Sequence, residues 1–266
     1  MIKKIVILSL FVGVMFGDDL HIDIPFLKMD YTEYGNGGEY LDSQKSDFSD
    51  IAGIEVLYGL ELGDGLDTYN GGDSSRIEFS GSYLKGNSDY DGFLFDTSTG
   101  SRISTYKSTT DIEIAEAKIR YIETKSTSNY DVGIFTSLGY RYWKRDMSSD
   151  PYGYLEEYKW AFGDIGLKVG IYDGNWKMEF IGAYQRAFKP TLYAGTNGGM
   201  SFDLGTTDGY NIEIPLSYNI ANGYDVEVAY EYDYWEIGKS NTINGFYEPD
   251  SKTKNQVIKI GLVFKW

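Results

Sequence analysis

Between residues 257 and 266 the chain alternates strictly, with Ile258, Ile260, Leu262, Phe264 and Trp266 on one parity and Val257, Lys259, Gly261, Val263 and Lys265 on the other. Successive side chains of a β-strand point to opposite faces, so this pattern predicts a strand with one apolar face throughout. The same period recurs upstream. Ile54, Val56, Tyr58, Leu60 and Leu62 oppose Glu55 and Glu61; Ile77, Phe79, Gly81 and Tyr83 oppose Arg76, Glu78, Ser80 and Ser82. Ala115, Ala117, Ile119 and Tyr121 oppose Glu116, Lys118 and Arg120, and Val132, Ile134, Leu138, Tyr140 and Tyr142 continue the series. Each segment collects its charges on one side.

The beginning of the chain reads differently. Lys3 and Lys4 precede a charge-free run, Ile5 to Phe16, that is short for a membrane span but suits a signal-peptide core, with cleavage expected after Gly17. Residues 1–17 are thus expected to be a signal peptide and 18–266 a single exported domain. No later stretch is apolar and long enough for a transmembrane helix. Of the remaining choices, an exported soluble protein or a barrel, composition favours the barrel: 25 Tyr, 32 Gly and 17% aromatic residues accompany a mean hydropathy of only −0.35. That combination is expected when lipid-facing and lumen-facing residues alternate. There is no Cys, so no disulfide framework or thiolate metal site supports the fold.

The remaining apolar stripes set the strand count. Tyr158, Trp160 and Phe162 are followed by a change of parity at Gly163 and Asp164, read as a bulge, and then by Ile165, Leu167 and Val169. Trp176, Met178 and Phe180 lead the next strand, then Ile212, Ile214, Leu216 and Tyr218, then Tyr224 to Tyr234. Leu27, Met29 and Tyr31 supply the first. The expected fold is an all-β, transmembrane, antiparallel up-and-down barrel of about ten strands, eight and twelve being the neighbouring even counts, in the bacterial outer membrane. Asp173-Gly174-Asn175 and Ala221-Asn222-Gly223 provide short-turn chemistry, whereas 35–50, 86–110, 144–154, 189–207 and 237–253 read as long extracellular connections. The segment 86–110 carries its own hairpin, with arms at Tyr90–Phe95 and Ile103–Tyr106. Pro215 interrupts a strand pattern and predicts a bulge or local break.

With the stripes facing lipid, Glu55, Glu78, Lys118, Arg120, Lys168, Glu179, Glu213, Glu227, Glu231, Asp233 and Lys259 face the lumen. Glu231 or Asp233 should reach Lys259 across the last hairpin, so an ion-pair ladder filling the interior is expected ahead of an open pore, which needs more strands. The formal charge of −16, falling to −18 without Lys3 and Lys4, excludes nucleic acid as a partner. Arg141, Lys144, Arg145, Lys159, Arg186 and Lys189 cluster at the outer ends of three successive strands, a cationic rim suited to lipopolysaccharide phosphates and membrane lipid. No metal-ligand spacing, phosphate loop or nucleophilic triad is present, and no cofactor is expected.

Two resemblances add to this reading. The final strand, Ile258 to Trp266, resembles the C-terminal signal by which the barrel-assembly machinery recognises bacterial outer-membrane proteins. The order of strands and loops, with Asp89-Tyr90-Asp91 in the long segment after Leu84, resembles the omptin family of ten-stranded outer-membrane proteases. That resemblance implies an aspartate pair, here Asp89 and Asp91, facing an Asp-His pair across the mouth to activate water. The strand that would carry the second pair reads Gln185-Arg186-Ala187-Phe188-Lys189, and His21 is the one histidine. The residues therefore favour a non-enzymatic barrel, a narrow porin-like channel or a structural envelope protein; a degenerate omptin-type protease and a loop-mediated adhesin are the alternatives.

Overall fold

The computed structural model describes residues 18–35, 37–64, 72–95 and 102–266; the expected signal peptide, 1–17, lies outside them. A single antiparallel sheet contains β1 (Asp19–Tyr34), β2 (Tyr40–Lys45), β3 (Ile51–Asp64), β4 (Gly72–Phe95), β5 (Arg102–Ser126) and β6 (Tyr130–Asp146). It continues through β7 (Leu155–Asp173), β8 (Trp176–Ala194), β9 (Met200–Asp203), β10 (Thr207–Ala221), β11 (Tyr224–Ile237) and β12 (Asp250–Lys265). Of these twelve, β2 and β9 are short and sit at one end, which leaves ten spanning strands. The ladder from Asp19↔Lys265 to Tyr34↔Asp250 joins β1 to β12 and closes the barrel, so no lengthwise sheet edge faces lipid.

Outward residues form an apolar belt: Ile22 and Ile24, Ile54, Phe79, Ile134, Leu138, Ile165, Leu167, Ile212, Val228, Ile260 and Leu262 are all exposed. Such a continuous outward apolar band is the surface a transmembrane barrel presents to hydrocarbon. Tight connections at 127–129, 174–175 and 222–223 lie at the end that holds Asp18 and Trp266, with Gly174 and Gly223 supplying positive φ of 58° and 82°. The longer connections, 35–50, 147–154, 195–206 and 238–249, lie at the opposite, extracellular end. β4 and β5 have 24 and 25 residues, against the roughly 9–11 a tilted strand needs to cross. Their surplus, in register from Gly86↔Ile112 to Leu94↔Ser104, rises above the mouth as the expected hairpin, continuous with the barrel strands below.

Two local expectations are corrected and a third is met. Gly163 and Asp164 hold no bulge, because β6 and β7 stay in one register from Tyr130↔Ile171 to Asp146↔Leu155. The irregularity lies instead on β8, between the pairings of Lys159 and Ala161, where Lys189 has φ of +48°. The apolar residues of β7 change sides while the backbone keeps its parity: Tyr158, Trp160 and Phe162 are buried inside, whereas Ile165, Leu167 and Ile171 face out. Leu27, Met29 and Tyr31 likewise point inward. On β1 and β7, apolar residues thus meet lipid over the lower part of the barrel and fill the lumen over the upper part. At Pro215 the ladder to β8 lacks pairs between Glu213↔Ile181 and Leu216↔Met178 yet keeps register, a break without a bulge, as a missing N–H requires.

Candidate functional site

The lumen is closed in layers. In its middle the Lys259 ammonium lies 2.8 Å from Glu231, 3.0 Å from Glu55 and 3.2 Å from Glu213, the ladder expected from the sequence with two further strands joining it. Arg141 binds Asp233 at 2.7 Å and approaches Glu116 at 3.7 Å, while Arg120 pairs with Glu78 at 3.3 Å. These charges line a cavity of about 90 Å³, room for several waters. Six acids and four bases border it, among them Lys118. Toward the periplasmic end, Arg76 holds Asp19 at 2.6 Å and Glu78 at 3.0 Å, and Lys168 holds Glu179 at 2.9 Å. His21 sits there too, 3.7 Å from Glu227 and from Asp19.

Above the cavity an aromatic layer crosses the lumen. Trp235 packs edge-on against Trp160 and Phe162 at ring separations of 5.4 and 5.7 Å, and Trp143 stacks on Tyr158 at 4.8 Å. Leu27, Met29, Ile112 and Leu192 complete the buried cluster. Glycines make room for it: a Cβ at Gly139 would fall 2.3 Å from the Phe162 ring, its cross-strand neighbour. On top lies a polar cap in which Arg145, 1% exposed, reaches Glu156 at 2.7 Å and Glu33 at 3.3 Å and donates to Gln44 Oε1 at 2.8 Å. The Tyr158 hydroxyl donates to Glu248 at 2.5 Å. Above the membrane belt, burial and the neighbouring Glu33 push the Asp42 and Glu248 carboxyls well above the usual carboxylate range.

Of the residues expected to form a cationic rim, Arg141 and Arg145 point inward, because odd positions on β6 face the lumen, and their guanidiniums are taken by Asp233, Glu33 and Glu156. Lys144, Lys159, Arg186 and Lys189 face out. Lys144 lies 3.1 Å from Asp146, Lys159 2.7 Å from Glu157 and Arg186 2.9 Å from Asp208. Asp89 and Asp91 sit on the face of β4 turned away from the lumen, since no bulge intervenes at Gly86, and Asp91 pairs with Lys107 at 2.8 Å. Ser88 and Tyr90 take the inward positions. The register His21↔Leu57↔Ser80 leaves His21 nine residues below Asp89, roughly 30 Å along a strand. The structure therefore does not bring Asp89, Asp91 and His21 together. Among the described residues no group of His, Cys, Asp and Glu is arranged to hold a metal.

The mouth network of Tyr31, Glu33, Gln44, Glu156 and Glu248 is absent from the sequence reading. Glu156, Tyr158, Trp160 and Phe162 share a parity, and that carboxylate leading an aromatic stripe was the available signal for an inward face.

The barrel can be placed among known structures. The outer-membrane protease OmpT from Escherichia coli superposes with a TM-score of 0.57, 94% of this chain covering 97% of that one at 12% identity. The fold is omptin-like. OprG from Pseudomonas aeruginosa and Ail from Yersinia pestis also match, at TM-scores of 0.36 and 0.35 and identities of 11% and 8%, over 94% of this chain and 97% and 100% of theirs. No family model and no curated relative matches the chain. An omptin-like outer-membrane barrel is thus the architecture, and the side chains within it are this chain's own.

Proposed function

We propose that this omptin-like barrel is a non-enzymatic envelope protein, closed to solutes, whose working surface is the extracellular platform of the β4–β5 hairpin and β2. One observation carries the reading: the lumen is filled twice, by the Lys259-centred ion pairs and by the Trp143–Trp160–Trp235 layer. A porin-like path would have to cross both. The outward Lys144, Lys159, Arg186 and Lys189 remain the candidate contacts for lipopolysaccharide phosphates, and β12 the strand that assembly machinery would read.

Planar-bilayer recording of the refolded protein tests the proposal. Silent insertion is the expected result, and reproducible unitary conductance steps would overturn it in favour of a channel. The omptin-type alternative predicts cleavage of dibasic peptides by lipopolysaccharide-reconstituted protein that is lost in Asp89→Ala; the outward placement of Asp89 predicts no such cleavage. Replacing 88–108 with a short turn should leave the barrel folded while removing any surface attachment the protein confers.

A further inference from the structure

At the outer mouth four carboxylates from separate parts of the chain gather around one guanidinium. Glu33 comes from β1, Asp42 from β2, Glu156 from β7 and Glu248 from the connection between β11 and β12. Arg145 is the one cation in ion-pair contact with them among the described residues. Glu248 makes its close contacts to hydroxyls, accepting from Tyr158 at 2.5 Å and from Tyr31 at 3.4 Å. Asp42 accepts from the Tyr90 hydroxyl of β4 at 3.0 Å, and the half-buried Tyr154 phenol faces Glu156 and Glu248 from the connection between β6 and β7.

Fully ionised, this group would carry three uncompensated negative charges. Glu33, Glu156 and Glu248 are 8%, 2% and 7% exposed, so little water is present to screen them. A buried cluster with too few cations keeps its closed geometry by keeping protons on some of its carboxyls. One of these carboxyls sits on a loop that reaches over the mouth. The Glu248 backbone closes the neck of the 238–249 loop, its N–H donating to Ser240 Oγ at 2.7 Å and its carbonyl accepting from the Ser240 N–H at 3.0 Å, so the hydroxyl bonds to its carboxyl tie that neck to β1 and β7. Further along the same loop Ile243 packs onto the aromatic core. β2 is held by its ladders to β1 and β4, to which the Gln44–Arg145 and Asp42–Tyr90 bonds add.

We infer that the outer mouth is a pH-operated latch, in which protonated carboxyls hold the 238–249 loop down over the aromatic layer and their ionisation releases it. The sign follows from linkage. A carboxyl that binds its proton more tightly in the closed state than in the open one stabilises closure fully below its ordinary value, and that contribution is lost as the pH rises toward the closed-state value. Across that window the open-to-closed ratio grows up to about tenfold per pH unit for each proton released.

Acrylamide quenching of tryptophan fluorescence, in detergent or lipid, reads the device directly. Trp143, Trp160 and Trp235 lie beneath the latch, while Trp176 and Trp266 are already exposed on the outside of the barrel. Quenching of the wild type should be level at acid pH and rise about twofold as the pH climbs above the ordinary carboxylate range and the carboxyls ionise. Glu248→Gln, which retains an acceptor for Tyr158 but cannot ionise, should displace that rise to higher pH or abolish it. Heat-modifiable gel migration at each pH establishes that the barrel itself stays folded. Level quenching in the wild type would overturn the latch, and so would a Glu248→Gln profile that superposes on the wild type.

Discussion

Replacing Lys259 with methionine asks directly whether the lumen is dry. The ammonium is 5% exposed as a residue and holds three carboxylates at 2.8 to 3.2 Å. At about 3 Å a single contact is worth roughly 5 kcal/mol at an effective dielectric of ~20 and about 1.4 kcal/mol in bulk water, before desolvation is subtracted. Removing one partner from a buried ionic group costs about 3–5 kcal/mol, because the charges left behind stay buried, whereas an exposed pair is worth about 1 kcal/mol at most. Lys259→Met should therefore lower the unfolding free energy by about 3–5 kcal/mol. Adding Glu213→Gln and Glu231→Gln should recover most of the loss. Denaturant unfolding in detergent, followed by tryptophan fluorescence and by heat-modifiable migration, measures both effects. A loss below about 1 kcal/mol would mean the cluster is hydrated and screened. The closed-lumen reasoning would then fail together with the proposal that rests on it.

Gly139→Ala should cost about 1–3 kcal/mol by overpacking, since its Cβ would meet the Phe162 ring at 2.3 Å; the same unfolding assay reads it, and an unchanged midpoint would show that the ring moves freely. Trp235→Ala opens a void in the aromatic layer and should cost about 3–5 kcal/mol in that assay. Arg145→Met leaves Glu33 and Glu156 without their cation and should cost about 3 kcal/mol at neutral pH, with the deficit shrinking in acid; a pH-independent loss would point to packing. Asp89→Ala and Asp91→Ala should leave both barrel stability and peptide-cleavage background unchanged, because both side chains face away from the lumen.

The belt was legible because lipid imposes one rule on every strand that crosses it. Alternation located most of the ten spanning strands, and short-turn chemistry at Gly174 and Gly223 set which end is which. What alternation cannot show is which face is apolar for which reason. On β7 the apolar parity moves from the lumen side at Tyr158, Trp160 and Phe162 to the lipid side at Ile165 and Leu167, and a reader who holds the environment constant must move the backbone instead. The expected bulge at Gly163 came from that substitution. The rim failed for a related reason: Arg141 and Arg145 share a parity with Trp143, but charge at a strand end reads equally well as a solvated rim or as a buried partner for acids on β1, β7 and β11. Only the sheet order brings those acids within reach.

Charge balance changes along the lumen, and the change has a mechanical meaning. Around the central cavity four cations face six acids, and Lys259 alone satisfies three of them, so the middle of the barrel is a fixed strut. At the mouth one guanidinium faces four carboxyls, one of them carried by the 238–249 loop, which lies outside the sheet. A strut needs matched charges; a latch needs an imbalance that protons can correct. The two clusters are separated by the aromatic layer, so external pH reaches the mouth first, and that end can respond while the ion pairs below keep the barrel shut.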